Sequence, residues 1–179
     1  MRSHWFVLPV LLVASLAQDP QLTARHAAKA EPRPAVTFTG AASAVTKAGY
    51  QRLRTAQELA RAWLLHAGKP APERDYDFFY NLAAVPEVYF DTFEVIAIFG
   101  GETMNSAGFS VAAVLDEPGR RVVRFDHKSY QTAGPDGGGK HVTPFAFLVM
   151  PRTALPIVLE ENVQSLIGKP PEWKERARL

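Results

Sequence analysis

The chain has 179 residues, of which 47% are apolar and 11% aromatic, and its formal net charge is +2. This composition supports a hydrophobic core and excludes global disorder, and the near balance of charges excludes an electrostatically driven nucleic-acid binder. The absence of cysteine excludes disulfides, thiolate metal sites, a cysteine nucleophile and a lipid anchor on a cysteine.

The first residues have the pattern of a secretory signal peptide. A short polar start precedes the apolar run 6–16, and Ser15-Leu16-Ala17 places small residues where a signal peptidase needs them. A bilayer span takes about 20 residues, so this run is too short to be a stable membrane anchor. We therefore expect a signal peptide over residues 1–17 and a periplasmic or secreted bacterial protein. The proline-containing residues 18–35 indicate a flexible linker.

One helix is predicted near the start of the domain, after two short strands at 36–39 and 50–54. Thr55-Ala56-Gln57-Glu58 is a capping box, in which the Thr hydroxyl and the Glu carboxylate satisfy each other's backbone amides. Apolar residues then recur at helical spacing, and Gly68 stands where a helix commonly ends. The aromatic-rich stretch 74–84 indicates either a second short helix or an irregular packed segment, and a brief edge strand is expected at 88–90.

The rest of the sequence alternates between apolar strands and turns. The strands are predicted at residues 93–99, 109–115, 121–131, 143–150 and 155–159. Together with the helix they predict an α+β, mainly β domain over 36–167, followed by a proline-containing, charged tail at 168–179. The expected architecture is an antiparallel meander with the N-terminal helix packed against it. A curved sheet, a sandwich and a partly closed barrel all stay open.

Two glycine-rich loops are the candidate contact region. If consecutive strands alternate in direction, loops 100–108 and 133–141 lie at the same end of the sheet. Long loops at one end of a β scaffold commonly bind partners, although they can also be plain surface loops. The candidate partner-binding residues are Glu102, Met104, Asn105, Ser106, Gly108 and Phe109 from the first loop, and Asp136, Lys140 and His141 from the second.

No catalytic motif stands out in the sequence. The histidines form neither an HxH nor an HExxH pattern, and neither glycine cluster has the ending of a phosphate-binding loop. We therefore expect a non-catalytic domain without a cofactor. The enzymatic alternative is a metal-dependent hydrolase that uses His127 and His141 with Asp126 or Asp136.

Several short motifs carry a family resemblance over residues 50–159. They are Leu53-Arg54-Thr55 before the helix, ARAWL at 60–64, the strand 95–99, the step Gly108-Phe109-Ser110, and Thr143-Pro144-Phe145 followed by LVMPR at 148–152. This order resembles the PrcB C-terminal domain family, named after a subunit of a bacterial surface protease complex. The chain departs from that family at Ala107, where a second glycine is common, and in a longer insert at 69–91.

The resemblance implies an exported, non-catalytic bacterial domain, of a family whose founding case is associated with a protease. In addition, NSAGF at 105–109 resembles the loop tip of chagasin-type cysteine-protease inhibitors; Asn105, Gly108 and Phe109 fit that pattern, and Ser106 and Ala107 depart from it. The expected function is therefore an accessory domain that binds or modulates a protein partner, possible partners being secreted or surface proteases, through loops 100–108 and 133–141. A structural domain of an envelope assembly is the second alternative.

Overall fold

The computed structural model describes residues 34, 36–132, 138–164, 166 and 168–179. The predicted signal peptide, almost all of the predicted linker, and Asp136 lie outside the described residues. The elements are β1 (Val36–Gly40), β2 (Ala48–Leu53), α1 (Ala56–His66), β3 (Phe93–Gly100), β4 (Thr103–Met104), β5 (Ser106–Glu117), β6 (Arg120–Ser129), β7 (His141–Val142), β8 (Phe145–Pro151), β9 (Ile157–Asn162) and β10 (Trp173–Arg178). The expected α+β, mainly β class with one helix is confirmed for the described part.

Two four-stranded sheets form the domain. The first has the order β1-β8-β3-β2, and all of its neighbours are antiparallel. The second has the order β10-β9-β6-β5, in which β6 and β9 run parallel and the other two pairs are antiparallel. The sheets are not closed into a barrel.

The strand order differs from a simple meander. The hairpin β5–β6 forms as expected around the Pro118-Gly119 turn, where Gly119 has a φ of +81°. In contrast, β3 and β5 lie in different sheets, because β3 pairs with β2 and β8. Apolar strands fit either arrangement, so their sequence pattern does not decide which strands pair.

One core lies between the two sheets. Ile96 and Ile98 of β3 and Leu148 of β8 pack in one buried cluster with Phe125 of β6 and Leu159 of β9. Because side chains alternate along a strand, the neighbouring residues of β3 point to the opposite face of the first sheet. Both faces of β3 are therefore covered, which explains why residues 94–99 are all buried.

Helix α1 covers that opposite face. Its buried Leu59 and Ala62 belong to a second core cluster with Val95 and Phe99 of β3. The predicted capping box is present: Glu58 N donates to Thr55 Oγ1 at 3.2 Å, and Thr55 N donates to Glu58 Oε2 at 3.1 Å. The helix thus starts where its sequence requires.

Two ion pairs, of which only the Arg52–Glu94 pair is largely buried on both sides, connect the strand ends. Glu94 is fully buried and accepts hydrogen bonds from Arg52 Nε at 2.8 Å and from Arg52 Nη2 at 3.1 Å. Arg121 donates to both carboxylate oxygens of Asp116 and, at 2.6 Å, to the carbonyl of Pro151. The second contact joins the β5–β6 hairpin to the end of β8, and thereby one sheet to the other.

Two local expectations need correction, and one open alternative is decided. Residues 74–84 form turns and irregular structure, which is the second of the two alternatives for that stretch, whereas residues 88–90 are not a strand. The C-terminal residues are not merely a tail, because β10 pairs with β9 in the second sheet. Trp173, at the start of β10, lies under the Arg124 guanidinium, whose carbon is 5.3 Å from the ring centroid.

Candidate functional site

The two glycine-rich loops meet in a short antiparallel ribbon. Thr103 is paired with Val142, and Met104 with His141. We call β4, β7, Asn105 and Lys140 together the ribbon. The expectation that the two loops lie together is thus confirmed, although β3 and β5 do not pair with each other. The loops meet because both connect a strand of one sheet to a strand of the other.

Asn105 closes the ribbon. Its backbone N donates to Lys140 O at 2.9 Å, and its side-chain Oδ1 accepts from Lys140 N at 2.7 Å. Its own carbonyl accepts from Tyr130 N at 2.9 Å, which ties the ribbon to the end of β6. The residue has a φ of +53°, a left-handed conformation that asparagine tolerates better than most side chains. A backbone held at this many points needs little further ordering when a partner binds.

Four of the expected contact residues are exposed on the ribbon or beside it. Glu102, Lys140 and His141 are exposed, and Met104 is 42% exposed. Met104 lies against Gly139, where a Cβ atom would collide with its terminal methyl group. The ribbon and its neighbour Glu102 therefore expose a carboxylate, an ammonium group, an imidazole and a flexible apolar side chain to solvent. This mixture suits contact with another protein.

Three other expected contact residues are buried. Ser106 is fully buried and accepts from Gly108 N at 3.1 Å, and Phe109 is only 4% exposed. Gly108 has a φ of +107° and lies against Gly40 and Thr39, so that a side chain there would collide with the Thr39 hydroxyl. These residues lack the exposed surface that direct contact with a partner requires. They instead form the start of β5, where that strand packs against β1.

A cleft of about 600 Å³ lies between the end strands of the two sheets, β1 and β5, and none of the ribbon residues lines it. The strands are joined where Phe109 N donates to Thr39 Oγ1 at 2.9 Å. The cleft is bounded by Pro34 and Thr37 on one side, by residues 110–114 on the other, and by Lys128. Sequence reasoning missed this cleft, since it depends on β1 and β5 being end strands of separate sheets.

The histidines of the enzymatic alternative have different environments. His127 stacks on Phe109, with 5.1 Å between the ring centroids, and its Nε2 is buried without a hydrogen-bond partner. Burial lowers the pKa of His127, and the charge of Glu161 opposes that shift. His141 is exposed, and Asp126 accepts a hydrogen bond from Asn162 Nδ2 at 2.8 Å.

The described residues contain no group of three or more histidines or carboxylates placed to hold a metal ion. Residue Asp136, which the hydrolase alternative also uses, lies outside the described part. In that same part of the chain, no helix has the length and apolarity needed to cross a membrane.

Comparisons with protein-family models, with curated proteins and with solved structures found no match. The resemblances to the PrcB C-terminal domain and to chagasin-type inhibitors therefore stay predictions from sequence motifs. The structural features that bear on function are the ribbon, the cleft and the side chains that they expose.

Proposed function

We propose that this chain is an exported, non-catalytic accessory domain whose ribbon docks on a protein partner, with a secreted or surface protease as the expected partner class. The closure of the ribbon by Asn105 carries the proposal. Two backbone segments that are far apart in sequence are fixed there by strand pairing and by a side-chain hydrogen bond at 2.7 Å.

Preorganisation is the physical reason for choosing the ribbon. A flexible loop loses conformational entropy when it binds, and this loss subtracts from affinity. A paired ribbon has already lost that entropy on folding, so contacts made by Met104 and His141 contribute more of their energy to the complex. Glu102 and Lys140 would add charge complementarity, which mainly governs specificity and association rate.

The cleft between β1 and β5 supports a protein as the partner. Strands β1 and β5 each end a sheet, so each has an edge without a neighbouring strand in its own sheet. Such an edge can pair with an extended segment of another chain. Residues 110–114, which line the cleft, are where such a segment would bind.

Partner capture tests the proposal. The chain without its predicted signal peptide is immobilised and exposed to the secreted and periplasmic proteins of the source bacterium, and captured proteins are identified by mass spectrometry. We expect the double variant Met104→Ala/His141→Ala to lose the partner. The matched control is Val163→Ala, an exposed apolar residue outside the ribbon. Undiminished capture by the double variant would remove the ribbon from the proposal.

Two further measurements separate the alternatives. Light scattering of the purified chain that reveals a large homo-oligomer would favour the envelope-assembly alternative over a free accessory domain. Metal analysis that finds stoichiometric zinc, together with hydrolytic activity lost on chelation, would favour the hydrolase. A metal-free monomer that captures a partner through the ribbon is the result expected from the proposal.

A further inference from the structure

The connection between α1 and β3 exposes a concentration of large apolar side chains. Phe79 is 88% exposed, Leu82 87%, Tyr89 72% and Tyr80 69%. Scattered exposed apolar residues are ordinary on protein surfaces, but a group of large ones commonly marks a site of interaction. We call residues 73–91 the aromatic loop. None of its residues belongs to the ribbon.

The aromatic loop is fixed from within by Asn81. Its Oδ1 accepts from Val85 N at 2.9 Å and from the Tyr76 hydroxyl at 3.0 Å, and its Nδ2 donates to Val85 O at 3.0 Å. Ala83 N donates to the same Tyr76 hydroxyl at 3.0 Å. Val85 is buried, with only 2% of its surface exposed, so this network has one end in the core.

Two side chains of α1, Gln57 and Trp63, attach the loop to that helix through three hydrogen bonds. Gln57 accepts from Tyr76 N at 2.6 Å and donates to Tyr76 O at 3.2 Å, and Trp63 Nε1 donates to Ala83 O at 3.2 Å. The loop also contains Ala84 at a φ of +49°, a conformation unfavourable for a residue with a Cβ atom. The surrounding bonds therefore hold the backbone in a strained shape while Phe79, Leu82 and two tyrosines face solvent. Strain of this kind is concentrated at functional sites.

The charges of the aromatic loop select the chemistry of a partner. Its exposed ionised residues are Arg74 and five acids, namely Glu73, Asp75, Asp77, Glu87 and Asp91. Carboxylates pair with arginine and lysine, and aromatic ring faces attract the same cations. The acidic excess opposes binding to an anionic membrane surface and opposes self-association of two such loops.

We propose that the aromatic loop is a second docking surface, which binds an arginine- or lysine-rich segment of a protein partner that also carries apolar side chains. Phe79 and Leu82 are the apolar anchors, and the neighbouring carboxylates and tyrosine rings receive the cations. Preformed aromatic anchors lose little conformational entropy on binding. This inference does not depend on the ribbon, so either proposal can fail alone.

Two synthetic peptides of about twelve residues, a length typical of short recognition segments, test the inference. They share the same leucine and tryptophan residues, but one carries arginines where the other carries glutamates. Binding to the full chain is followed by fluorescence anisotropy. We expect the arginine peptide to bind at least about tenfold more tightly, as unlike charges at an interface predict, and to weaken as salt is added.

The double variant Phe79→Ser/Leu82→Ser should weaken binding of the arginine peptide at least about tenfold, as loss of two anchors predicts. Both side chains are almost fully exposed, so circular dichroism and the melting temperature should match the wild type. Leu166→Ser, which changes an exposed leucine outside the aromatic loop, is the control and should bind normally.

Several results would overturn the inference. Equal binding of the two peptides, binding of neither at millimolar concentration, or equal binding by the wild type and the double variant would each do so. Wild-type binding to phosphatidylglycerol vesicles that the double variant loses would identify a membrane surface instead. Concentration-dependent dimerisation that the double variant loses would identify a second copy of the chain.

Discussion

Replacement of Asn105 tests whether the ribbon is preformed. Asn105→Gly removes the Oδ1 acceptor of Lys140 N, a hydrogen bond of 2.7 Å, while glycine accepts the φ of +53° without strain. Asn105→Ala removes the same bond and leaves a Cβ atom in the left-handed conformation. A comparison of the two variants therefore separates the hydrogen bond from the backbone conformation.

The magnitudes follow from these two contributions. A hydrogen bond of this kind contributes about 1 kcal/mol, and glycine adds up to about 1 kcal/mol of unfolded-state entropy, so we expect Asn105→Gly to destabilise the ribbon by about 1–2 kcal/mol. Alanine in a left-handed conformation costs about 1–2 kcal/mol, which gives about 2–3 kcal/mol for Asn105→Ala when the lost bond is included.

Amide hydrogen exchange at Lys140 is the appropriate assay, because that N–H group donates to Asn105. Exchange of this amide should become about tenfold faster for each 1.4 kcal/mol by which local opening becomes less unfavourable, because the population of the open state rises by that factor. The amide of Leu148, in the buried core, serves as the internal reference for global unfolding. Lys140→Ala is the matched control variant, because it keeps the backbone N–H group and removes the exposed side chain only.

Unchanged exchange at Lys140 in both Asn105 variants would refute the reasoning, because the ribbon would then be held by strand pairing alone. Equal acceleration at Leu148 would refute it as well, since the effect would be global rather than local. If the ribbon is the docking surface, Asn105→Ala should also weaken partner capture although Met104 and His141 are still present.

Three further predictions concern the sandwich. Glu94→Gln leaves a buried guanidinium without its counter-charge, and we expect urea denaturation to show a loss of about 3–5 kcal/mol. Gly108→Ala should destabilise by at least about 2 kcal/mol, since it combines an unfavourable φ with a steric collision. Burial lowers the pKa of both His66 and His127, so the unfolded state binds more protons. The contribution of these histidines to the melting temperature should therefore be constant above the histidine pKa of the unfolded state, about 6.5. The melting temperature should fall as the pH is lowered through the folded-state pKa values.

Each of these predictions has a control. Glu160→Gln breaks a partly exposed ion pair with Arg124 and should lower the free energy of unfolding by less than about 1 kcal/mol. If Glu94→Gln lowers it by no more than Glu160→Gln does, the first prediction is contradicted. Gly119 has a φ of +81°, but a new Cβ atom there would meet open space. Gly119→Ala should therefore lower the free energy of unfolding by less than Gly108→Ala does. A loss of stability below about pH 6.5 that persists when both histidines are replaced by phenylalanine would assign the pH dependence to other groups.

Local features of the fold could be predicted from the sequence because they depend on neighbours along the chain. The capping box at Thr55 and Glu58 forms as its spacing predicts, and the positions of β3, β5, β6 and β8 follow from short-range apolar patterns. The turn at Pro118-Gly119 is equally local. The mainly β class follows from these elements together.

The candidate site could be predicted only in part. Its two loops are recognisable by their glycines, and they do lie together. The exposure of their residues could not be predicted, since an aromatic residue after a glycine fits a loop tip as well as a core. The structure buries the Phe109 ring in the core between the sheets, against Phe125 and His127 of β6, while Thr39 of β1 bonds to the Phe109 backbone. Contacts of this kind join residues that are far apart in sequence.

The helix, the strand positions and the two glycine-rich loops follow from the sequence, because each depends on short-range composition or periodicity. Tertiary structure alone decided that β3 and β5 lie in different sheets, that Glu94 pairs with Arg52, and that the aromatic side chains of residues 79–89 face solvent. Strand pairing and burial are settled by competition among all segments for the same core, and no single segment carries that information.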